Sequence, residues 1–198
     1  MSANVAILRK FGLSNERIVK FVLGNPEKVL VKSKLLESKL SYVEEKFKIS
    51  RDIPTFIHAL SAVLYIDDEG MEKKMQCFRS FGWSDSDIAL LFRNQPYCFN
   101  KSQGNICERL EYFMKELGYT PLYLISCSTF FTFSLKKRVI PRKMMLDILK
   151  EKNLACDKPS LITIITYPEP KFIKFLRGFE NEIPRLSEIY VDTVKRVS

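Results

Sequence analysis

Apolar residues recur along this chain at three- and four-residue intervals, the period of a helix that buries one face. Residues 81–117 show the pattern most fully. Gly82 follows one apolar run, where a left-handed helix end is expected. Ser84-Asp-Ser-Asp87 then supplies a capping side chain and first-turn carboxylates. Ile88, Leu91 and Phe92 form the stripe of one helix, and Pro96 ends it and opens a short turn with Phe99 pointing inward. Ser102 caps a second helix whose stripe is Ile106, Leu110, Phe113, Met114 and Leu117. There is no convincing strand. The β-branched stretch Leu161–Thr166, between Pro159 and Pro168, leaves room for a short helix or a short strand, and its helical context favours the helix.

The pattern repeats. Residues 11–47 align with residues 81–117 at an offset of 70, without a gap. Phe11-Gly12 meets Phe81-Gly82, Ser14 meets Ser84, Ile18 meets Ile88, Pro26 meets Pro96, and Leu40 meets Leu110. A weaker unit lies halfway, from Asp52-Ile-Pro54 to Phe81. A fourth opens at Leu117-Gly118 and shortens by four residues before Phe130-Phe131. Repeats of roughly 35 residues that pair amphipathic helices stack into a solenoid, because one unit cannot bury its apolar face alone. The expected organisation is therefore one all-α domain over residues 1–198, an α-solenoid or superhelix of either hand. Its repeats run at about 8–47, 48–80, 81–116 and 117–153, with a C-terminal helical cap at 154–198.

Composition adds one bias. The chain has 198 residues, 46% hydrophobic, which suits a packed domain or repeat array rather than a disordered chain. Lys and Arg number 32 against 23 Asp and Glu, a net charge of +9. That balance favours polyanionic partners such as DNA, RNA or an anionic membrane surface. No apolar run reaches the ~18 residues of a membrane span. The opening MSANVAILRKFG reads neither as a signal peptide nor as an Arg- and Ser-rich transit peptide, so the protein is cytosolic or nuclear, or its targeting segment lies outside this chain. Cys77, Cys98, Cys107, Cys127 and Cys156 form no CxxC pair, and free buried thiols in a reducing compartment are expected.

Several spaced segments resemble the mitochondrial transcription termination factor (mTERF) family, in its plant branch. They are Lys73-Lys-Met-Gln-Cys-Phe-Arg-Ser-Phe-Gly-Trp-Ser84, Phe92-Arg-Asn-Gln-Pro96, and Ser134-Leu-Lys-Lys-Arg-Val-Ile-Pro-Arg142 leading into Met145-Leu-x-x-Leu149 and Lys152-Asn-Leu154. The run Phe172 to Tyr190, with Pro184-Arg-Leu186, resembles the family's terminal cap. The likeness covers about residues 8–190, as for a short or N-terminally trimmed member. It implies repeats of two α-helices and a short 3-10 helix. It also implies a basic concave face that binds nucleic acid, and a role in transcription termination, transcript maturation or intron splicing in mitochondria or chloroplasts. The repeat proline stands at Pro26 and Pro96, but is Ser128 in the fourth unit and absent from the second.

Catalytic chemistry is not in view. His58 is the single histidine and reads as a partly buried structural residue. No GxxxxGK[ST] or GxGxxG loop occurs. Asp67-Asp68-Glu69 reads as a solvated loop and helix cap rather than a metal site. No enzyme activity, cofactor or metal is expected. Nucleic-acid binding needs only cations spaced to neutralise phosphates. The first candidate cluster is Lys136, Lys137, Arg138, Arg142 and Lys143. Pro141 reads as the first residue of a helix, so Arg142 and Lys143 oppose its dipole unless an anion binds there. The second is Lys73, Lys74 and Arg79; the third is Lys32, Lys34 and Lys39, with Arg109 at the repeat position of Lys39. Lys171, Lys174 and Arg177 extend the groove or solvate the cap. The expected phosphate partners are Lys73, Lys74, Arg109, Lys136, Lys137, Arg138 and Arg142. The ligand is expected to be double-stranded DNA in organellar transcription. RNA processing and a protein-interaction scaffold are the alternatives. Most rings sit on apolar stripes and are expected in the core, and Trp83 reads as a staple at a helix entry. A monomer is expected, with association possible through the first repeat's apolar face.

Overall fold

A computed structural model of the protein describes residues 3–24, 26–154 and 159–196, and every regular element among them is helical. The chain divides into two compact units, Met1–Ser128 and Thr129–Ser198. The division falls inside the fourth of the repeats read from the sequence.

In the first unit, α1 (Ala3–Lys10) precedes α2 (Asn15–Gly24), a 3-10 turn (Pro26–Leu30) and α3 (Ser33–Phe47). Then come α4 (Thr55–Val63), α5 (Asp68–Ser80) and α6 (Asp85–Asn94). A second 3-10 turn (Pro96–Asn100) leads into α7 (Gln103–Leu110), which continues as a π-helical stretch (Glu111–Glu116), and α8 (Pro121–Ser126) closes the unit. The first and third repeats thus share helix, 3-10 turn and helix, whereas the second passes from α4 to α5 without such a turn. Helix α1 was not foreseen; it precedes Phe11-Gly12 as α5 precedes Phe81-Gly82.

Local chemistry explains the boundaries. Gly12, Gly82 and Gly118 stand at φ of +84°, +81° and +68°. At Gly82 and Gly118 the space for a Cβ is open, so the left-handed backbone, not crowding, requires glycine. Ser84 Oγ accepts from the Asp87 amide at 3.1 Å, and Asp87 accepts from the Ser84 amide at 3.0 Å, a reciprocal cap. Ser102 caps α7 in the same way, and Phe99 is fully buried as the pattern requires. The rings of Phe47 and Phe92 stack at 3.8 Å, and Phe99 meets Phe92 at 5.1 Å and Phe78 at 5.4 Å. These four phenylalanines tie α3, α5, α6 and the second 3-10 turn into one core. Burying each contributes about 1.5–3 kcal/mol. Trp83, 3% exposed, packs edge-on against Phe78 at the entry to α6, as a staple does.

Two expectations fail in this unit. Cys77 and Cys107 are not free thiols; α5 packs along α7, brings their Cα atoms to 5.9 Å, and the pair is a disulfide. Thirty residues of separation conceal that proximity in the sequence. Cys98 stays a buried thiol and Cys127 a half-buried one, while Cys156 lies outside the described residues. His58 is exposed rather than partly buried, because it occupies the outer face of α4, where Nδ1 lies 3.0 Å from the Tyr97 hydroxyl.

The second unit opens within the 3-10 turn Ser128–Phe131. A π-helical stretch, Leu135–Val139, runs on into α9 (Ile140–Glu151). Helices α10 (Leu161–Thr166), α11 (Glu169–Arg177) and α12 (Leu186–Arg196) follow. The ambiguous stretch Leu161–Thr166 is a helix, capped by Ser160 and burying Leu161, Ile164 and Ile165. Helix α9 packs on α10 and α12, and α11 packs on α12, where Phe172 meets Tyr190 edge-on at 4.8 Å.

Candidate nucleic-acid interface

Many of the cations of this chain bond to the protein itself. Lys28 Nζ donates to the Ser61 carbonyl at 3.0 Å, Arg93 to the Phe47 carbonyl at 2.9 Å, and Arg51 to the Phe11 carbonyl at 2.6 Å. Each reaches a carbonyl at or near the end of a neighbouring helix, where acceptors lack intrahelical partners. A net charge of +9 therefore overstates the positive surface open to a ligand.

In the first unit the predicted residues separate by environment. Lys73 is exposed on α5 and pairs with Glu69 one turn away at 2.6 Å. Lys74, on the same helix, is half-buried, and its Nζ donates to the Lys101 carbonyl just before α7. Arg109 is only 2% exposed and donates from Nε to Asn105 Oδ1 at 2.8 Å. Burial lowers the pKa of Lys74, Lys101 and Arg109 below their ordinary values. For Lys101, repulsion from Arg109 adds to burial. Attraction to Glu108, the neighbour of Arg109 on α7, offsets part of the burial cost of that arginine. All three cations act on the buried Cys98 thiol, whose pKa burial nonetheless drives up. Lys74, Lys101 and Arg109 are thus a cluster of like charge around one point. Arg109 lies beneath the surface, out of solvent.

The third predicted cluster divides similarly. Lys32 and Lys34 are exposed at the start of α3, whereas Lys39 is 5% exposed and bonds Asp68 at 3.0 Å. The acidic triplet is fully engaged: Asp67 caps α5, Asp68 holds Lys39, and Glu69 holds Lys73.

In the second unit Lys136 and Lys137 are exposed in the first turn after the Ser134 cap. Arg138 is half-buried, lies 4.5 Å from the Phe133 ring and donates to the Tyr167 carbonyl at 2.5 Å. Burial and then the charge of Arg142 lower its pKa. Arg142, expected to meet phosphate, is a core residue with no exposure. Its guanidinium donates to the Ile164 carbonyl at 2.6 Å, the Tyr167 carbonyl at 2.7 Å and Glu169 at 2.6 Å, and stacks 4.4 Å from Phe172. The conflict with the helix dipole is resolved by α10 and α11, not by an external anion. Lys143 pairs with Asp147 at 2.5 Å. Lys171, Lys174 and Arg177 are exposed on α11, Lys171 4.0 Å over the Tyr167 ring.

One feature of the helix starts sequence reasoning missed. Helices α2 and α6 carry first-turn acids, Glu16 and Asp85 with Asp87. Their partner helices α3 and α7 carry none, and neither does the stretch from Leu135. Lysines stand there instead: Lys32 and Lys34, Lys101, and Lys136 and Lys137. The positive end of each dipole is left without an acid and reinforced by lysine, which favours anions. Lys101 was legible as the residue before a cap; its proximity to Lys74 was not.

Among the described residues no group of three or more His, Cys, Asp or Glu is placed to hold a metal ion, and no helix is long and apolar enough to cross a membrane. Compared with known proteins, residues 1–173 match the family model described as mTERF. The chain is also similar to "Transcription termination factor MTEF18, mitochondrial" of Arabidopsis thaliana. The two are 27% identical over 115 residues, which is 58% of this chain and 21% of that protein. The matched stretch is thus about a fifth of the relative's length.

Proposed function

Since the chain belongs to the mTERF family, whose members are nucleic-acid-binding helical-repeat proteins of organellar transcription, we propose that it binds double-stranded DNA and regulates transcription, termination included, in mitochondria. The observation that carries this reading is the placement of lysines at acid-free starts of α3, α7 and the Leu135–Val139 stretch. Phosphate oxygens are the ligand chemistry such starts favour. The phosphate partners are Lys32, Lys34, Lys74, Lys101, Lys136 and Lys137; Lys73 joins them when it leaves Glu69. Arg138 and Arg142 hold the fold. The relative's mitochondrial designation favours that organelle over the chloroplast.

Phosphate recognition also suits structured RNA, so the test compares ligands. Fluorescence anisotropy with duplex DNA, single-stranded RNA and structured RNA is expected to rank duplex DNA first. Preference for RNA would move the role to transcript processing or splicing. Failure to bind any of them at low salt, from a folded sample, would favour a protein-interaction scaffold.

A further inference from the structure

A cavity of about 300 Å³ opens between α2, α4 and the second 3-10 turn. Phe21 and Ile57 give it an apolar wall, and Lys20, His58, Ser61 and Tyr97 bring polar groups to it. Among the described residues that line it, none is acidic. Behind Ser61 stands Lys28, 7% exposed, whose Nζ donates to the Ser61 carbonyl at 3.0 Å. Burial lowers the pKa of this lysine, and the charge of Glu27 offsets only part of that. An ammonium has three donors, and one carbonyl does not neutralise it. The repeat itself does not require a cation here: seventy residues on, the same position holds the buried thiol of Cys98. An anion in the cavity would stabilise the charged form of Lys28. At the mouth, His58 Nδ1 lies 3.0 Å from the Tyr97 hydroxyl. Burial pushes the Tyr97 phenol up, and a hydrogen bond with Ser61 offsets part of the shift, so the phenol keeps its proton at neutral pH. Donated to Nδ1, that O–H fixes the ring N–H on Nε2, turned away from Tyr97. Lys20 pairs with Glu16 at 2.8 Å, and an ion pair this exposed holds its lysine weakly.

We propose that this cavity binds a phosphate ester of nucleotide size. Lys20 at the mouth and Lys28 behind the wall meet its charge, and a phosphate oxygen accepts from His58 Nε2. The organic part lies against Phe21, Ile57 and the Tyr97 ring. A phosphate monoester carries close to two negative charges at neutral pH, which matches the two ammonium groups. A bare phosphate would leave most of the space empty, and the volume stands at the lower end for sites of small organic ligands. The ester belongs to a free nucleotide or to a nucleic-acid strand; the recognising chemistry is the same. The inference goes beyond the duplex reading and does not depend on it.

His58 is the single histidine of the full chain, so the imidazole C–H signals in a carbon–proton NMR spectrum report on this cavity directly. Adenosine monophosphate, inorganic phosphate and adenosine are titrated at fixed ionic strength. Adenosine monophosphate is expected to move the signals and to saturate. Inorganic phosphate should bind more weakly, and adenosine about tenfold more weakly or not at all. Lys28→Met keeps the apolar stem and removes the charge, and should weaken adenosine monophosphate about tenfold. Should that variant not fold, Tyr97→Phe decides; it lies at an exposed position and should cost about threefold, because Nδ1 loses its donor. Signals unmoved by millimolar adenosine monophosphate, or moved equally by adenosine, overturn the proposal. Equal affinity in Lys28→Met overturns the role given to that lysine. Duplex DNA added to the complex separates the two sources. Displacement of the nucleotide assigns the site to a nucleic-acid strand, and retention beside bound duplex assigns it to a free nucleotide. A duplex that does not bind, while the nucleotide does, overturns the nucleic-acid reading and leaves this one standing.

Discussion

Arg109 and Arg142 are both arginines almost wholly removed from solvent, and the two units treat them differently. Around Arg142 the second unit gathers acceptors: carbonyls at the end of α10, the carboxylate of Glu169 and the ring of Phe172. Around the buried Cys98 thiol the first unit sets Arg109, Lys74 and Lys101, with Asn105 and Glu108 beside the arginine. One arrangement is closed, with the charge answered inside the protein. The other is open, with two half-buried lysines gathered beside Arg109 at one buried thiol. Availability of a cation depends on the acceptors the fold brings to it, and neither type nor burial alone reveals it. Lys39, at the repeat position of Arg109, makes the same point, because Asp68 reaches it.

The largest expected effect breaks the closed site. Arg142→Met leaves the Ile164 and Tyr167 carbonyls without the Arg142 donor, while the half-exposed Glu169 turns to solvent. A loss of about 2–4 kcal/mol is expected in urea unfolding followed by far-UV circular dichroism, from buried carbonyls left unsatisfied. A loss under about 1 kcal/mol would contradict the hub role. Next comes the open site. Lys74→Glu with Lys101→Glu should reduce duplex affinity by about tenfold or more and flatten the salt slope by about 2, with folding retained because Lys101→Glu replaces a repulsion from Arg109 by an attraction. Unfolding of that variant would erase the contrast with Arg142.

A pH series sharpens the comparison. Burial lowers the pKa of Lys74 and Lys101, with Arg109 adding to the effect on Lys101. Their protonated forms bind the anion, so affinity falls as pH rises and begins to fall below the ordinary lysine value of 10.5. The facing groups Glu108 and Cys98 enter this balance and stay in place in the Lys74→Ala, Lys101→Ala control, which should flatten the early fall. The sign for folding is opposite. The folded state binds these protons less well than the unfolded chain, so their contribution to stability improves as pH rises through the same window. The smallest effect concerns the exposed Lys73–Glu69 pair. Glu69→Gln should change stability by less than about 0.5 kcal/mol, measured by thermal unfolding, and tighten duplex binding slightly by releasing Lys73. A larger stability change would place that pair among the structural cations.

The helices were legible because they rest on local signals. Ser84, Pro96, Ser102 and the three left-handed glycines each act within a turn or two of their own position, and the 70-residue offset multiplied those signals. The second repeat lacks both the proline and the turn, whereas the fourth, with Ser128 in place of the proline, keeps a 3-10 turn. The interface was legible only as composition and clustering. Lys136 and Lys137 are exposed as expected, but Arg142, five residues beyond Lys137, is in the core. Contacts with Ile164, Tyr167 and Glu169 decide that, and they lie more than twenty residues along the chain. The same distance hid Cys77 from Cys107 and Lys74 from Lys101. Periodicity reports which face of a helix is buried, not which helix covers it.

The central claim is that phosphate contacts by exposed and half-buried lysines drive binding, and the salt dependence of duplex affinity tests it most directly. If about six phosphates are neutralised, log affinity should fall against log salt concentration with a slope near −5. A slope near zero, in a folded sample that binds, would contradict the account.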